Sequence, residues 1–326
     1  MNVPGRSVAQ RSSSMTCLDK IISASSHVKM GPLLIITLTF FIGLQTSEAS
    51  EWGYTGKNGP ENWPGICTTG KKQSPIDIVT EDAIRVDLGA LKFNRYDFAF
   101  HGILINNGHS VEIQLEGVPI VLSGGNLSST YVLKQMHFHW SAEHTVDGVR
   151  HPLELHLVHY DKKYGNFSVA AQNENGLAVV AVLFELSKND NKDLMPILEA
   201  TKMVSRRMGR SIAPIRNKII PLLFLPKDHT TYYNYQGSLT TPGCAESVIW
   251  FVMTEKLFVS EAQVNVFKRV RNGNETLTFN YRPVQDLGLR KVYHRLEGYS
   301  SSSSVTSKTI GTLLSVFSVS LLHENF

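Results

Sequence analysis

The sequence predicts one β-dominated α/β domain, with helices around a sheet. Three observations predict it. Short stretches of alternating polar and apolar residues recur between turn signals, the period-2 pattern of half-buried strands. Two runs, LAVVAVLFEL at 177–186 and SVIWFV at 247–252, are continuously apolar and rich in β-branched residues, as strands buried on both faces are. No Pro/Gly-rich linker divides the chain, and the roughly 250 residues left after both ends are set aside suffice for one large core.

In chain order, NNGH at 106–109 is a turn signal, and SVEIQLE at 110–116 alternates over a full strand length. GVPIVL at 117–122 is expected as its partner strand, with Pro119 favouring an edge or a bulge. Residues 153–159 alternate again, and the buried run at 177–186 follows. A helix is predicted near 191–207, where Leu194, Ile197, Leu198 and Met203 keep helical spacing and Gly209 ends it. After the strand at 247–252, a short helix fits 260–270, opened by Ser260 and Glu261. No repeat of 20–50 residues and no heptad pattern is present.

The two ends read differently from the middle. LLIITLTFFIGL at 33–44 is an apolar run of 12 residues, against about 20 for a membrane span. Lys29 precedes it and Ser47-Glu48-Ala49 offers a small-x-small cleavage pattern. Residues 1–49 are therefore expected to be a secretory leader that is removed; translation from Met30 and an extended leader both remain open. Residues 50–297 form the expected domain. Residues 298–326 begin with a serine cluster, Ser300 to Ser304, followed by a short polar spacer and the apolar run Ile310 to Leu322. That is the layout of a GPI-anchor signal, the alternative being a serine-rich tail with a weak apolar segment.

Removing both ends removes five basic residues (Arg6, Arg11, Lys20, Lys29, Lys308) and three acidic ones (Asp19, Glu48, Glu324). The balance moves from 32 against 28 to 27 against 25, so the net charge falls from +4 to +2. No basic stripe with interleaved aromatics is present, which argues against a nucleic-acid partner. Of three cysteines, Cys17 goes with the leader, leaving Cys67 and Cys244 as a bridge in an oxidising compartment or as two free thiols. Three sequons, at Asn126, Asn166 and Asn274, predict surface positions open to glycosylation.

QMHFHW at 135–140 and ELHLVH at 154–159 hold the chemistry. On a strand, residues i and i+2 share a face, so His137 and His139 point together, as do Glu154 and His156. Two imidazoles from one strand and one from a neighbour can make a three-histidine zinc site whose fourth position is open, the mark of a catalytic site. Taken alone, the pattern is equally that of histidines in a half-buried sheet.

The surrounding motifs decide between these readings. WGY at 52–54, QSPIDI at 73–78, NNGHS at 106–110, QMHFHW at 135–140, AEHTVDG at 142–148, ELHLVHY at 154–160, GSLTTPGC at 237–244 and NYRPVQ at 280–285 resemble the α-class carbonic anhydrases, in family order, from about Trp52 to Arg295. The resemblance implies a single domain with a large twisted, mostly antiparallel central sheet flanked by short helices. It implies zinc bound by His137, His139 and His156, and reversible hydration of CO₂ to bicarbonate and a proton through zinc-bound hydroxide. The pKa near 7 of the coordinated water is an established property of this class, not something read from this chain.

By the same resemblance Gln135 partners His137 and Glu154 partners His156. Thr240 orients the nucleophile and passes its proton toward Glu143, with Tyr235 and His144 supporting that pair, and Thr241 receives bicarbonate. Val158, Val179, Leu239, Val248 and Trp250 match the apolar CO₂ pocket, though from the residues alone they read as ordinary core. His109 matches the proton shuttle, with Tyr54 and Asn107 holding the intervening waters. Cys67 and Cys244, if bridged, would brace the loop carrying Thr240. Sulfonamide-type inhibitors are implied as ligands, and the outer cell surface, through a lipid anchor, as the location, with secretion as the alternative.

Two positions depart from the family pattern. Glu112 stands where relatives often carry a neutral amide, and is expected to alter buffer dependence by acting on His109 or on the waters. Only two residues separate Trp140 from Glu143, where relatives commonly carry a longer hairpin. Two other readings remain: a catalytically silent binding module of the same fold, and an extracellular zinc esterase.

Overall fold

Thirteen strands form one sheet, and its middle brings the two histidine-bearing strands side by side. The computed structural model describes residues 52–205 and 211–299, all within one unit of the chain, Glu48–Phe326. The expected leader, Gly209, and residues 300–326 of the expected anchor signal lie outside the described residues.

Ten strands follow one another across the sheet. They are β1 (Ile84–Val86), β2 (Phe100–Asn106), β3 (Val111–Glu116), β4 (Tyr131–Trp140), β5 (Leu153–Asp161), β6 (Leu177–Ser187), β7 (Ser211–Ile219), β8 (Tyr232–Gly237), β9 (Val248–Met253) and β10 (Tyr293–Arg295). Their order is β7-β2-β3-β4-β5-β6-β9-β8-β10-β1, with Leu91–Asn94, Val121–Gly124 and Leu257–Ser260 attached beside that path. Pairing along the sheet is antiparallel except at β6–β9, β10–β1 and the 257–260 strand beside β6.

Side-chain parity explains why the middle strands are apolar throughout. Phe138, Leu155, Val180, Val182 and Phe251 enter one core. Their neighbours Val158, Val179, Ala181, Trp250 and Val252 enter a second core on the opposite face. Burying each valine, leucine or phenylalanine among them stabilises the fold by about 1.5–3 kcal/mol, so β5, β6 and β9 leave no polar face for solvent.

Among the described residues four short α-helices accompany the sheet: α1 (Ile66–Thr69), α2 (Phe167–Ala170), α3 (Met195–Val204) and α4 (Glu261–Phe267). α3 buries Ile197, Leu198, Ala200 and Val204, whereas Met203, expected on that face, is 39% exposed. α4 starts on a capping box, Ser260 accepting from the Gln263 N–H and Gln263 reaching back to Ser260, which satisfies two of the helix's unpaired donors.

The 117–122 segment is a correction. β3 pairs with β2 and β4 instead, and the next strand begins only at Val121, where it pairs with Leu91–Asn94 and β4. A bend at Gly117, φ 125°, and Val118 precedes it, with Pro119 and Ile120 outside any element. Pro119 has no N–H for a ladder, and its carbonyl accepts from Arg95 Nη1 at 2.8 Å.

Candidate metal centre and active site

The antiparallel register of β4 and β5 sets His137 opposite His156, and His139 opposite Glu154. His137 Nε2 lies 3.1 Å from His139 Nε2 and 3.3 Å from His156 Nδ1. Metal–nitrogen bonds of 2.0–2.1 Å in a tetrahedron give an edge of about 3.3 Å, so the spacing fits zinc.

The tautomers are set by the outward nitrogens. His137 Nδ1 donates to Gln135 Oε1 at 2.9 Å, His139 Nδ1 to the Asn280 carbonyl at 2.6 Å, and His156 Nε2 to Glu154 Oε1 at 2.7 Å. A neutral imidazole has one N–H, so each inward nitrogen carries a lone pair. Burial, then the neighbouring imidazoles, holds His137 well below the usual histidine range, and burial lowers His139 also. Three lone pairs facing one another repel, and a cation between them removes the conflict. The donor set therefore fits a resident zinc ion.

Glu154 is the hub of this arrangement. It is fully buried, and burial alone would raise its carboxyl, but His144 and His156 hold it well below the usual range. Its Oε2 accepts the Glu143 and His144 backbone N–H groups at 2.7 and 2.8 Å, and its Oε1 accepts from His144 Nδ1 at 2.6 Å as well as from His156. His144 Nε2 meets the Tyr235 hydroxyl at 2.7 Å, which reaches Ser74 Oγ at 3.0 Å. His144 and Tyr235 thus buttress Glu154, rather than the Thr240–Glu143 pair expected from sequence.

Two residues with no role assigned from sequence complete the frame. Asn280 accepts from the Trp140 N–H and donates to the His109 and Phe138 carbonyls, while its own carbonyl fixes His139. Arg282, 1% exposed, donates to Gln73, Ser74 and Cys67 through its guanidinium and to Glu143 Oε1 through its backbone N–H. Both lie in NYRPVQ, whose polar residues before a proline were visible but carried no periodicity to reveal their contacts.

Glu143 keeps its place despite the two-residue link. Ser141 turns at φ 62°, and the Ser141 and Ala142 N–H groups pair with the Pro152 and His151 carbonyls. Glu143 Oε2 lies 3.4 Å from His139 Nε2 and is buried with no hydrogen-bond partner. Among the described residues no hydrogen bond joins Glu143 to Thr240, because the Arg282 N–H holds Oε1 and leaves Oε2 turned toward the histidine.

Thr240 and Thr241 lie on the loop between β8 and β9. The Leu239 N–H pairs with the Ala245 carbonyl, the Cys244 N–H with the Thr241 carbonyl, and Trp250 Nε1 donates to the Ser238 carbonyl. Cys244 is bridged to Cys67, and Gln73 Nε2 donates to the Cys244 carbonyl at 3.1 Å. The disulfide expectation is met, and the bridge lies at the foot of this loop.

The three histidines open into a cavity of about 260 Å³ whose lining includes Val158, Val179, Leu239, Thr240, Thr241 and Trp250. Val248 is not among its lining residues. It packs in the core, opposite Leu177 and Gly237. Phe167, at the start of α2, does line the cavity; as the middle residue of a sequon it reads from sequence as a surface position. The larger grooves elsewhere, of about 440 and 600 Å³, contain no histidine.

Trp52, Tyr54, Asn107, His109, Glu112 and Gln135 also line the cavity. His109 stacks on Trp52 with ring centroids 3.6 Å apart. Tyr54 is buried, and burial, then the charge of Glu143, raises its hydroxyl well above the usual phenol value, so it stays protonated. Asn107 Oδ1 is taken by the His109 and Ser110 N–H groups, so that oxygen shapes the turn. Asn126, Asn166 and Asn274 are all exposed.

The fold and this centre define a class of β protein with a three-histidine centre able to hold a metal ion. The profile of the eukaryotic-type carbonic anhydrase family matches residues 58–296. Carbonic anhydrase 7 of Mus musculus is 37% identical over 258 residues, covering 74% of this chain and 96% of that protein. Carbonic anhydrase 6 of Mus musculus is 34% identical over 277 residues (78% and 84%), and carbonic anhydrase 3 of Homo sapiens 33% over 260 (75% and 98%). The chain belongs to the eukaryotic-type carbonic anhydrase family.

Proposed function

We propose that this protein is a zinc enzyme that hydrates carbon dioxide reversibly to bicarbonate and a proton. The observation that carries the reading is the convergence of three lone pairs from imidazoles whose other nitrogens are all engaged. Zinc held there by His137, His139 and His156 supplies the Lewis acidity that makes a nucleophile from water near neutrality. Neutral ligands leave the dication's charge undiminished.

The chain's own residues do the rest. Val158, Val179, Leu239 and Trp250 give apolar CO₂ a dry surface beside the histidines. Thr240, on the cavity wall, orients the nucleophile, a positioning effect; Glu143 Oε2, a buried oxygen with no donor in the structure, is the acceptor open to its hydroxyl during turnover. Thr241 receives the product anion. His109 relays the released proton outward, because imidazole titrates near neutrality; its stacking on Trp52 supports a site at the mouth. Stopped-flow CO₂ hydration by the purified chain tests the reading: rapid turnover abolished by an aryl sulfonamide is expected. Zinc binding without hydration would favour a silent binding module, and ester hydrolysis without hydration an esterase.

The protein further acts outside the cell on a GPI anchor. The apolar run at 33–44, the serine cluster at 300–304, three exposed sequons and the Cys67–Cys244 bridge support this. Among the described residues no helix is long and apolar enough to cross a membrane. Release of the protein from intact cells by a phosphatidylinositol-specific phospholipase tests the anchor.

A further inference from the structure

The cavity wall holds one unneutralised charge. Among the side chains lining the cavity, Glu112 is the only carboxylate, and none is lysine or arginine. Glu112 sits on β3 directly opposite His137, one strand from a proposed ligand, with neutral Gln135 also lining the cavity. Gln114 Nε2 donates to Glu112 Oε1 at 2.7 Å, which fixes the group without cancelling its charge. No ion pair among the described residues includes Glu112. The other carboxylates of the centre differ: Glu143 and Glu154 are fully buried, do not line the cavity and accept backbone N–H groups.

We propose that Glu112 makes the cavity charge-selective, favouring ligands whose outer part is cationic or neutral over those whose outer part is anionic. The inference rests on the proposed zinc site, since that site anchors the inner end of such a ligand. A charge on the outer end then meets a fixed carboxylate within a cavity of about 260 Å³, where field lines are focused. CO₂ carries no charge and is not discriminated. An amine-bearing ligand is attracted and a carboxylate-bearing one repelled.

Calorimetry with three benzenesulfonamides tests this. They share one scaffold and differ at the para position: aminomethyl, hydroxymethyl or carboxylate. For the zinc-loaded wild-type chain the aminomethyl compound should bind about tenfold more tightly than the carboxylate compound, a gap that narrows in high salt. In Glu112→Gln the gap should shrink to within about threefold, and in Glu112→Lys the order should reverse. The hydroxymethyl compound should bind the wild type and Glu112→Gln alike, which also shows that the variant is folded. An unchanged gap in Glu112→Gln, with the hydroxymethyl compound still bound, overturns the role of Glu112 and leaves the zinc site standing. Failure of the hydroxymethyl compound to bind even the zinc-loaded wild type overturns the zinc-site reading, and this inference with it.

Discussion

Glu154 fixes more of the centre than any ligand does. One carboxylate accepts four N–H groups, two from backbone and two from imidazoles. Glu154→Gln replaces one acceptor oxygen by a donor, so at least one imidazole must turn over or lose its partner. Zinc affinity should fall about 10–100-fold, as read by chelator competition. Thr240→Ala should leave zinc stoichiometry at the wild-type value while lowering kcat/KM for CO₂ by about a hundredfold, because an ill-directed nucleophile reacts slowly. A third residue acts on stability. His159 is buried, receives the Tyr96 hydroxyl at Nε2 and donates from Nδ1 to the Ala178 carbonyl. Burial pushes it down to about 4. The unfolded chain therefore takes up this proton first as pH falls. His159's contribution is whole above pH 6.5 and is lost as pH falls through 4, by about 3 kcal/mol. Urea titrations at pH 7 and pH 4 should show the stability advantage of wild type over His159→Asn shrinking by about that amount.

At the scale of elements, the strands position the chemistry and the turns aim it. Gly237 ends β8 where three elements meet: a Cβ there would lie 2.1 Å from Ser74 Oγ and 2.9 Å from Trp250 Cδ1. Gly237→Ala should cost about 2 kcal/mol through overpacking, a fall in Tm of roughly 4–8 °C for a domain of this size. The histidine strands were legible because parity is local: His137 and His139 share a face whatever the rest of the chain does. Val248 was expected at the pocket by resemblance; it shares the face of Trp250 but not the cavity, since a face says nothing of distance along the sheet. The break at 117–120 was missed because an apolar run containing proline looks like a strand until its hydrogen bonds are counted. Asn280 and Arg282 were invisible as supports because their partners, such as Cys67 and His139, lie far away in sequence.

For the whole molecule, the covalent tie between distant parts of the chain lies beside the site. The Cys67–Cys244 bridge spans 177 residues, and the chain-entropy model gives on the order of 5 kcal/mol for such a loop, less any native strain. Arg282 crosses the same junction from a third part of the chain. Thermal unfolding with and without a reductant should show a large loss of stability, with hydration activity lost at a lower temperature, since the reduced loop carries Thr240. Stability and function are thus coupled in one corner of the molecule, built from segments near 67–74, 143, 237–244 and 282. The central claim, however, is the convergence of three neutral imidazoles on one cation. Its most direct test is a zinc titration of the chelator-stripped full chain, followed by the CO₂ hydration rate. The rate should rise in proportion to zinc and reach a plateau at one equivalent per chain. A full equivalent bound tightly with no rate above buffer, or a plateau at any other stoichiometry, would contradict it.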